Sequence, residues 1–370
     1  MFTRELYIST NYTCNLKCIY CFERYKNDFS FDPDKAVKKI AEILSQKTEH
    51  GTCIKLLGGE PFLIFDKIKK LCETLWSLDI DEKYTFYTAT NGTLVHGEIQ
   101  EWLLRNKDRF IVKLSLDGDK TSHEINRPNS FERIDIRFFV ETWKSLRINM
   151  TITPQTLPFF FENIIFFHSI GINNIQTNFA IMTDWSNKNL EQLFYKELLK
   201  AARFYLDNPL ITPCYIFKTK IELTLLKTCG TPLCGIGSKK AYDFESRRYY
   251  PCHMFFPSVC GNIPDEIRKK DYSHRENYES LTCLKCKFVN ICRTCYAENY
   301  SIRGSISERD MQLCSYQKIA FVAVCKYEYA RIINLKEFTE IDMQKMKAIK
   351  KLLPELINIE NAIFNTSIVH

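Results

Sequence analysis

Residues 6–22 read LYISTNYTCNLKCIYCF: a short run rich in β-branched and aromatic residues that breaks into a loop holding Cys14, Cys18 and Cys21. Such a run, bounded by polar residues, reads as a strand. The cysteines are spaced C-x3-C-x2-C. That is one ligand short of a closed tetrahedral zinc site and an odd number for a disulfide frame. The stretch therefore predicts a strand whose carboxyl end carries an incomplete set of metal ligands. In open α/β sheets and barrels, that end is where ligands bind.

The same pattern repeats outward. Residues 53–57 (CIKLL), 84–90 (YTFYTAT), 110–116 (FIVKLSL), 148–153 (INMTIT) and 174–180 (NIQTNFA) are five further runs of strand composition. Between and after them, 33–47, 62–78, 97–106, 131–147, 158–169 and 187–207 have helical patterning. In the first of these, Ala36, Ile40, Ile43 and Leu44 keep helical spacing, and Asp32 before Pro33 is an expected N-cap. Six successive βα units predict a parallel sheet with right-handed crossovers, curled into an incomplete barrel. At 370 residues the chain exceeds what one core usually organises. The expected division is a partial (β/α)6 barrel over 1–225, a small cysteine-rich domain over 226–320 and a C-terminal helical extension over 321–370. In the last region, 315–333 and 340–359 read as helices.

Composition excludes several classes. No run of about 18 uncharged apolar residues is present, so no membrane span is expected, and no basic segment followed by an apolar stretch opens the chain as a signal peptide. The net charge of +7 is mild and dispersed; it admits an acidic partner and does not call for nucleic acid. Sixteen cysteines without a leader imply a reducing, cytoplasmic setting in which metal binding outweighs disulfides. Cys53, Cys72 and Cys325 lie in apolar patterns and are expected as buried small hydrophobes.

Other short motifs fall at the ends of the expected strands. Gly58-Gly59-Glu60-Pro61 follows the second, Thr90-Asn91-Gly92 ends the third, and Ser115 ends the fourth. Beyond Ser115 a loop leads to Asn126-Arg127-Pro128. Each alone is an ordinary turn former or a solvated arginine. Together on one rim they describe a site.

On these residues the sequence resembles the radical S-adenosylmethionine (SAM) superfamily, whose signature is the three-cysteine loop. The resemblance implies that Cys14, Cys18 and Cys21 hold three irons of a [4Fe-4S] cluster and leave the fourth open to SAM. It puts Gly58, Gly59 and Glu60 near the SAM amino group, Tyr20 near adenine, Asn91 and Ser115 near ribose and methionine, and Arg127 on the carboxylate.

A second cysteine region reads Cys283-x2-Cys286-x5-Cys292-x2-Cys295, with Cys314 beyond it and Cys229, Cys234 and Cys252 upstream. As bare chemistry this spacing also suits a zinc ribbon. In context it resembles a SPASM domain, the C-terminal module of radical SAM enzymes that act mostly on peptides. The resemblance implies two auxiliary [4Fe-4S] clusters, one on Cys229, Cys234, Cys252 and Cys295 and one on Cys283, Cys286, Cys292 and Cys314. Cys214 and Cys260 compete with Cys229 as the first ligand. Two departures stand out: Cys292 and Cys295 are two residues apart where the family usually has three, and Arg247 stands where it favours glycine.

The implied activity is that of a peptide maturase with three [4Fe-4S] clusters and SAM, installing a thioether or carbon–carbon crosslink. Its implied partners are a peptide with a leader segment and an electron donor such as flavodoxin or ferredoxin. One alternative is an anaerobic sulfatase-maturing enzyme, which makes formylglycine from Cys or Ser. In that family an Asp, the proposed base, follows the Cys252 equivalent; here the residue is His253, a candidate base or a hydrogen-bonded supporting histidine. The other alternative is a zinc-binding interaction protein without catalysis.

Overall fold

The computed structural model describes residues 2–227 and 232–365, so Cys229 lies outside the described residues. All six expected strands form: β1 Arg4–Asn11, β2 Thr52–Gly58, β3 Tyr84–Thr90, β4 Phe110–Ser115, β5 Arg147–Ile152 and β6 Asn174–Phe179. The helices among them are α1 Pro33–Leu44, α2 Phe65–Ser77, α3 Glu98–Asn106, α4 Lys120–Asn126, α5 Ile136–Thr142, α6 Phe160–Ser169 and α7 Asn189–Asp207. This is a mixed α/β fold with a parallel sheet, consistent with a partial TIM barrel, and it ends in a helical region.

The chain forms two compact units. The first comprises Met1–Leu116, Arg127–Ile148 and Gly235–Tyr272. Its strands follow the order β4-β3-β2-β1 and continue into a hairpin absent from the sequence reading, β7 Lys240–Asp243 and β8 Arg248–Tyr250. β1 to β4 are parallel neighbours, β7 runs parallel to β1, and β8 is antiparallel to β7. At three and four residues, the hairpin strands are too short to leave a period-2 signal. Arg247 lies in its turn with φ of +57°. A left-handed conformation is what glycine accepts without strain, so the preference for glycine at this position has a backbone cause.

One face of this sheet is apolar. Leu6, Ile8, Ile54, Leu56, Phe86, Val112 and Leu114 are all buried. Trp76 of α2 meets Phe86 edge-on at 5.9 Å, and Trp102 of α3 meets Phe110 at 5.1 Å. Each such aliphatic or aromatic side chain contributes roughly 1.5–3 kcal/mol by leaving water. Asp32 caps α1 as expected, accepting from the amides of Asp34 and Lys35. The helix expected over 131–147 is shorter: a 3-10 turn spans Phe131–Arg133, and Asp135 restarts the chain as α5 by accepting from the Phe138 amide.

The second unit comprises Asp117–Asn126, Asn149–Cys234 and Ser273–His370. The segment before Arg127, expected as loop, contains α4. Its polar sequence hides it, and Asp119 starts it by accepting from the Ser122 amide at 2.8 Å. Helices Met311–Ile333 and Glu340–Asn365 extend the two expected in the tail. The second of them docks on α7 through Tyr195, whose hydroxyl donates to Glu360 Oε1 at 2.7 Å, and Gln192, which donates to the Ile363 carbonyl at 2.8 Å.

A capping box begins the last helix. The Asp342 amide donates to Thr339 Oγ1, and Asp342 Oδ2 accepts from the Thr339 hydroxyl and amide. Arg331 adds a hydrogen bond to Asp342 Oδ1 at 2.6 Å. The Thr339 hydroxyl and Arg331 outweigh burial and hold the Asp342 carboxyl down at about 2. A folded-state value below the unfolded one means the carboxylate stabilises the fold above about pH 4 and loses that effect as pH falls through about 2. Asp342→Asn is therefore expected to cost about 1–2 kcal/mol at pH 7. Urea midpoints at pH 7 and pH 3 check this, since the gap between variant and wild type narrows in acid.

Candidate active site

β1 ends in a local irregularity: its register with β2 shifts between Ser9 and Asn11. The shift turns Asn11 into a clamp. Its side-chain amide donates to the carbonyls of Thr13 and Glu60 at 2.9 and 3.1 Å, while its own carbonyl accepts from the Gly59 amide. The Glu60 amide donates to the Thr13 carbonyl at 2.8 Å. The glycines let this happen. A Cβ on Gly58 would lie 2.2 Å from Asn11 Oδ1, and one on Gly59 would lie 2.1 Å from the Thr13 carbonyl oxygen. Gly58 and Gly59 thus bring the backbone beside Cys14 onto the end of β2.

Glu60 is buried, and burial raises its carboxyl pKa. It accepts from the Thr90 hydroxyl at 2.7 Å and the Asn91 amide at 2.8 Å, tying β2 to β3. Asn91 donates in turn to Asn15 Oδ1 at 2.9 Å, and Asn15 donates to the Thr93 hydroxyl at 2.8 Å. The ends of β1, β2 and β3 are therefore laced to one loop, the loop of the three cysteines. The roles of Asn11 and Asn15 are not legible in the sequence. Their only signal was an asparagine at a strand end and another beside a cysteine.

Each sulfur of that loop faces a donor. The Leu16 amide points at Cys14 Sγ at 3.4 Å, and Arg127 Nη1 at Cys18 Sγ at 3.7 Å. The Arg127 guanidinium also lies 5.3 Å from the Tyr20 ring centre. Burial would lower the Lys26 ammonium, but the charge of Cys21, with Cys14 behind it, outweighs that and raises it. Burial lifts the Cys14 thiol to about 11, against the Leu16 amide, so a bare thiolate is disfavoured there. A bound cation reverses that balance. Cys14 and Cys18 are half-buried and Cys21 is exposed. Ser115 stands half-buried at the end of β4. Among the described residues, no three His, Cys, Asp or Glu side chains close around one ion. Three thiols on one short loop, each met by a donor or cation, fit a polynuclear cluster with one thiolate per iron.

His253 lies in the same unit, stacked on Tyr7 with ring centres 5.0 Å apart and planes 1° from parallel. Burial, with Lys239 and Lys55 nearby, lowers its pKa to about 3. The hydrogen-bonded histidine expected from sequence differs in one respect: its buried Nδ1 has no partner among the described residues.

In the second unit, Cys286 and Cys292 both act electrostatically on Cys314, which sits in the first turn of Met311–Ile333. The Cys286 amide donates to the Cys283 carbonyl at 3.0 Å. Arg309 Nη1 donates to Cys292 Sγ at 3.0 Å, while Nη2 holds both oxygens of buried Glu279 at 2.6 Å. Cys295 precedes the helix Tyr296–Arg303, and Cys234 is exposed. Of the competing cysteines, Cys214 is fully buried and its amide donates to the Tyr205 hydroxyl, whereas Cys260 is half-buried with its thiol on the Met254 carbonyl. Cys252 is half-buried. Cys53, Cys72 and Cys325 are buried, as their apolar settings predict.

A parallel sheet with a three-cysteine loop at the end of its first strand defines a class, and residues 8–184 match the Radical SAM superfamily. The chain carries a radical SAM domain, and the protein is an enzyme, which removes the non-catalytic zinc-binding alternative. Over 374 residues it is 23% identical to the cysteine-type anaerobic sulfatase-maturating enzyme of Clostridium perfringens (strain 13 / Type A), spanning 87% of this chain and 95% of that one. Its fold is similar to native anSMEcpe with bound AdoMet and Cp18Cys peptide, with a TM-score of 0.66 at 20% identity over 90% of this chain and 98% of that chain. Streptococcus suis SuiB bound to precursor peptide SuiA is a further structural relative, with a TM-score of 0.57 at 21% identity over 84% and 76% of the two chains. Among the described residues, no helix is long and apolar enough to cross a membrane.

Proposed function

We propose that this radical SAM enzyme modifies a ribosomally made peptide, installing a thioether or carbon–carbon crosslink. The observation that carries the radical chemistry is the loop of Cys14, Cys18 and Cys21, with a donor or cation at every sulfur. The peptide substrate is supported by relatives solved with peptides bound. When bound, the cluster supplies an electron that cleaves SAM to methionine and a 5′-deoxyadenosyl radical able to take a hydrogen atom from the peptide.

In this reading Cys14, Cys18 and Cys21 hold the cluster, and Tyr20, Gly58, Gly59, Glu60, Asn91, Ser115 and Arg127 form the SAM site. Asn11 and Glu60 keep the loop rigid, so that the reacting groups are held rather than found. Residues 226–320 act as a SPASM domain with two auxiliary clusters, on Cys229, Cys234, Cys252 and Cys295 and on Cys283, Cys286, Cys292 and Cys314. Arg309 offsets thiolate charge at Cys292. A flavodoxin or ferredoxin supplies electrons, and a leader segment of the peptide aids binding.

Formylglycine formation is the second reading, favoured by the near full-length sequence match to a sulfatase maturase. Anaerobic enzyme with SAM and dithionite is to be offered two peptides: a cysteine- and aromatic-rich precursor encoded beside the gene, and a sulfatase-type cysteine peptide. The crosslink reading expects the first to lose two hydrogens and keep its sulfur. Replacement of sulfur by oxygen together with loss of two hydrogens, in the second alone, would move the assignment to formylglycine. No 5′-deoxyadenosine with either would defeat both readings.

A further inference from the structure

The carboxyl ends of β5 and β6 border a cavity of about 160 Å³ in the second unit. In barrel enzymes those strand ends are where ligands bind. Ile152 and Phe179 close the two strands, and Ile181, Ile216, Leu313 and Phe321 complete the apolar wall. An apolar cavity of about 150 Å³ is large enough for benzene, so this one has room for a single Leu-, Met- or Phe-sized side chain. The loop after β6 is held in one strained shape. Met182 has φ of +55°, and its amide donates to Oε1 of buried Glu298 at 2.7 Å. Such strain at a residue other than glycine persists only where the surroundings fix it, and it gathers at ligand sites.

One cation belongs to the lining, Arg293. Its guanidinium carbon lies 4.0 Å from the centre of the Tyr215 ring. Nη2 reaches the Tyr215 carbonyl at 3.5 Å and the Thr219 hydroxyl at 3.3 Å, both longer than a full hydrogen bond. Burial works against the charge, and the groups that favour it are Tyr215 and Cys214. Cys292, its neighbour in sequence, is not among them, and no carboxylate of the described residues pairs with it. Gln317 fixes the backbone at this point by accepting from the Arg293 amide at 3.1 Å. The guanidinium is thus a partly desolvated cation on the wall of an apolar cavity, with neutral groups for company.

We propose, resting on the peptide-maturase reading, that this cavity holds the C-terminal residue of the substrate peptide, with its apolar side chain inside and its carboxylate on Arg293. A guanidinium matches a carboxylate in charge and in its planar, two-pronged geometry. The end residue suits the arrangement because its side chain and carboxylate share one Cα. In an extended peptide the next side chain points to the opposite face, and the one after lies about 7 Å along the chain, roughly a full cavity width away. An internal Asp or Glu therefore fits less well. Charge pairing in such a site contributes specificity more than raw affinity.

The test uses reconstituted, SAM-loaded enzyme, immobilised without oxygen and offered random decapeptides in two pools, with free or amidated C-termini. Retained peptides are sequenced by mass spectrometry. The free-ended pool is expected to be retained about threefold or more over the amidated one. At its last position Leu, Met and Phe are expected to exceed Gly and Ser by about tenfold. Arg293→Gln is expected to lose the free-end preference, and Arg293→Lys to keep at least half of it. Ala320→Leu, which fills the cavity from the helix Met311–Ile333, is expected to lose the apolar preference and keep the free-end one. Arg133→Gln, the same charge change at an exposed arginine, is expected to keep both. Equal retention of the two pools, selection of Asp or Glu in place of the free end, no retained peptide, or a free-end preference that survives in Arg293→Gln would overturn the proposal. Should Arg293→Gln bind less iron than wild type, Ala320→Leu decides, and an unchanged preference at the last position overturns the proposal. Peptide-independent formation of 5′-deoxyadenosine by the wild-type enzyme separates the two levels. If it persists while selection fails, only this inference falls; if it is absent, the reading of function falls as well.

Discussion

Cys18→Ala lowers bound iron by about four atoms per chain and brings 5′-deoxyadenosine formation to the level of an enzyme-free control. The expectation follows from ligand count. With one iron reserved for an outside ligand, a three-cysteine site has no spare thiolate, so losing one leaves two irons without protein ligands. The loss also leaves Arg127 facing a methyl group instead of a sulfur at 3.7 Å. Iron and sulfide analysis of anaerobically purified protein measures the first effect, and chromatography of the quenched reaction the second. Cys53→Ala is the control, because Cys53 is buried in β2 and is expected to change stability slightly and iron content not at all. Unchanged iron in Cys18→Ala would remove Cys18 from the ligand set.

Glu279→Ala should be the most destabilising single change in the second unit. Both Glu279 oxygens accept from Arg309 at 2.6 Å, and Oε1 also takes the Tyr296 hydroxyl at 2.5 Å. Arg275 stands 3.7 Å away, and the Glu279 side chain has no exposed surface. Removing the anion strands two buried guanidinium groups, a loss of about 3–5 kcal/mol. Denaturant midpoints of variant and wild type measure it. Arg309→Met tests the same cluster from the other side and should also change the environment of Cys292, whose sulfur lies 3.0 Å from Arg309. A drop below about 1 kcal/mol for Glu279→Ala would mean that the ion cluster contributes little net stability.

Much of the site was legible in the chain because its chemistry is local. Three cysteines within eight residues, a Gly-Gly-Glu-Pro after a strand and an Asn-Gly after the next are short-range features, and the structure brings the segments carrying them to one loop. What escaped was the bracing. Asn11 looked like any residue at a strand's end, and its importance arises from a register shift that aims its amide at Thr13 and Glu60. Helix α4 is hidden because its polar residues give no apolar stripe, and the β7–β8 hairpin is too short to show alternation.

The sequence by itself determined the six strands, most of their helices, the cap at Asp32 and the spacing of the cysteines. These depend on side-chain period and backbone preference over a few residues, which any window of the chain contains. Tertiary structure alone decided which distant groups meet. Arg127 reaches Cys18 across 109 residues of sequence, and Arg309 reaches Glu279 across 30. Strand register likewise aligns Tyr7, Lys55 and Tyr87 across β1, β2 and β3. Register and strand order are set by the burial of a whole sheet face, a sum over the fold that no short stretch encodes.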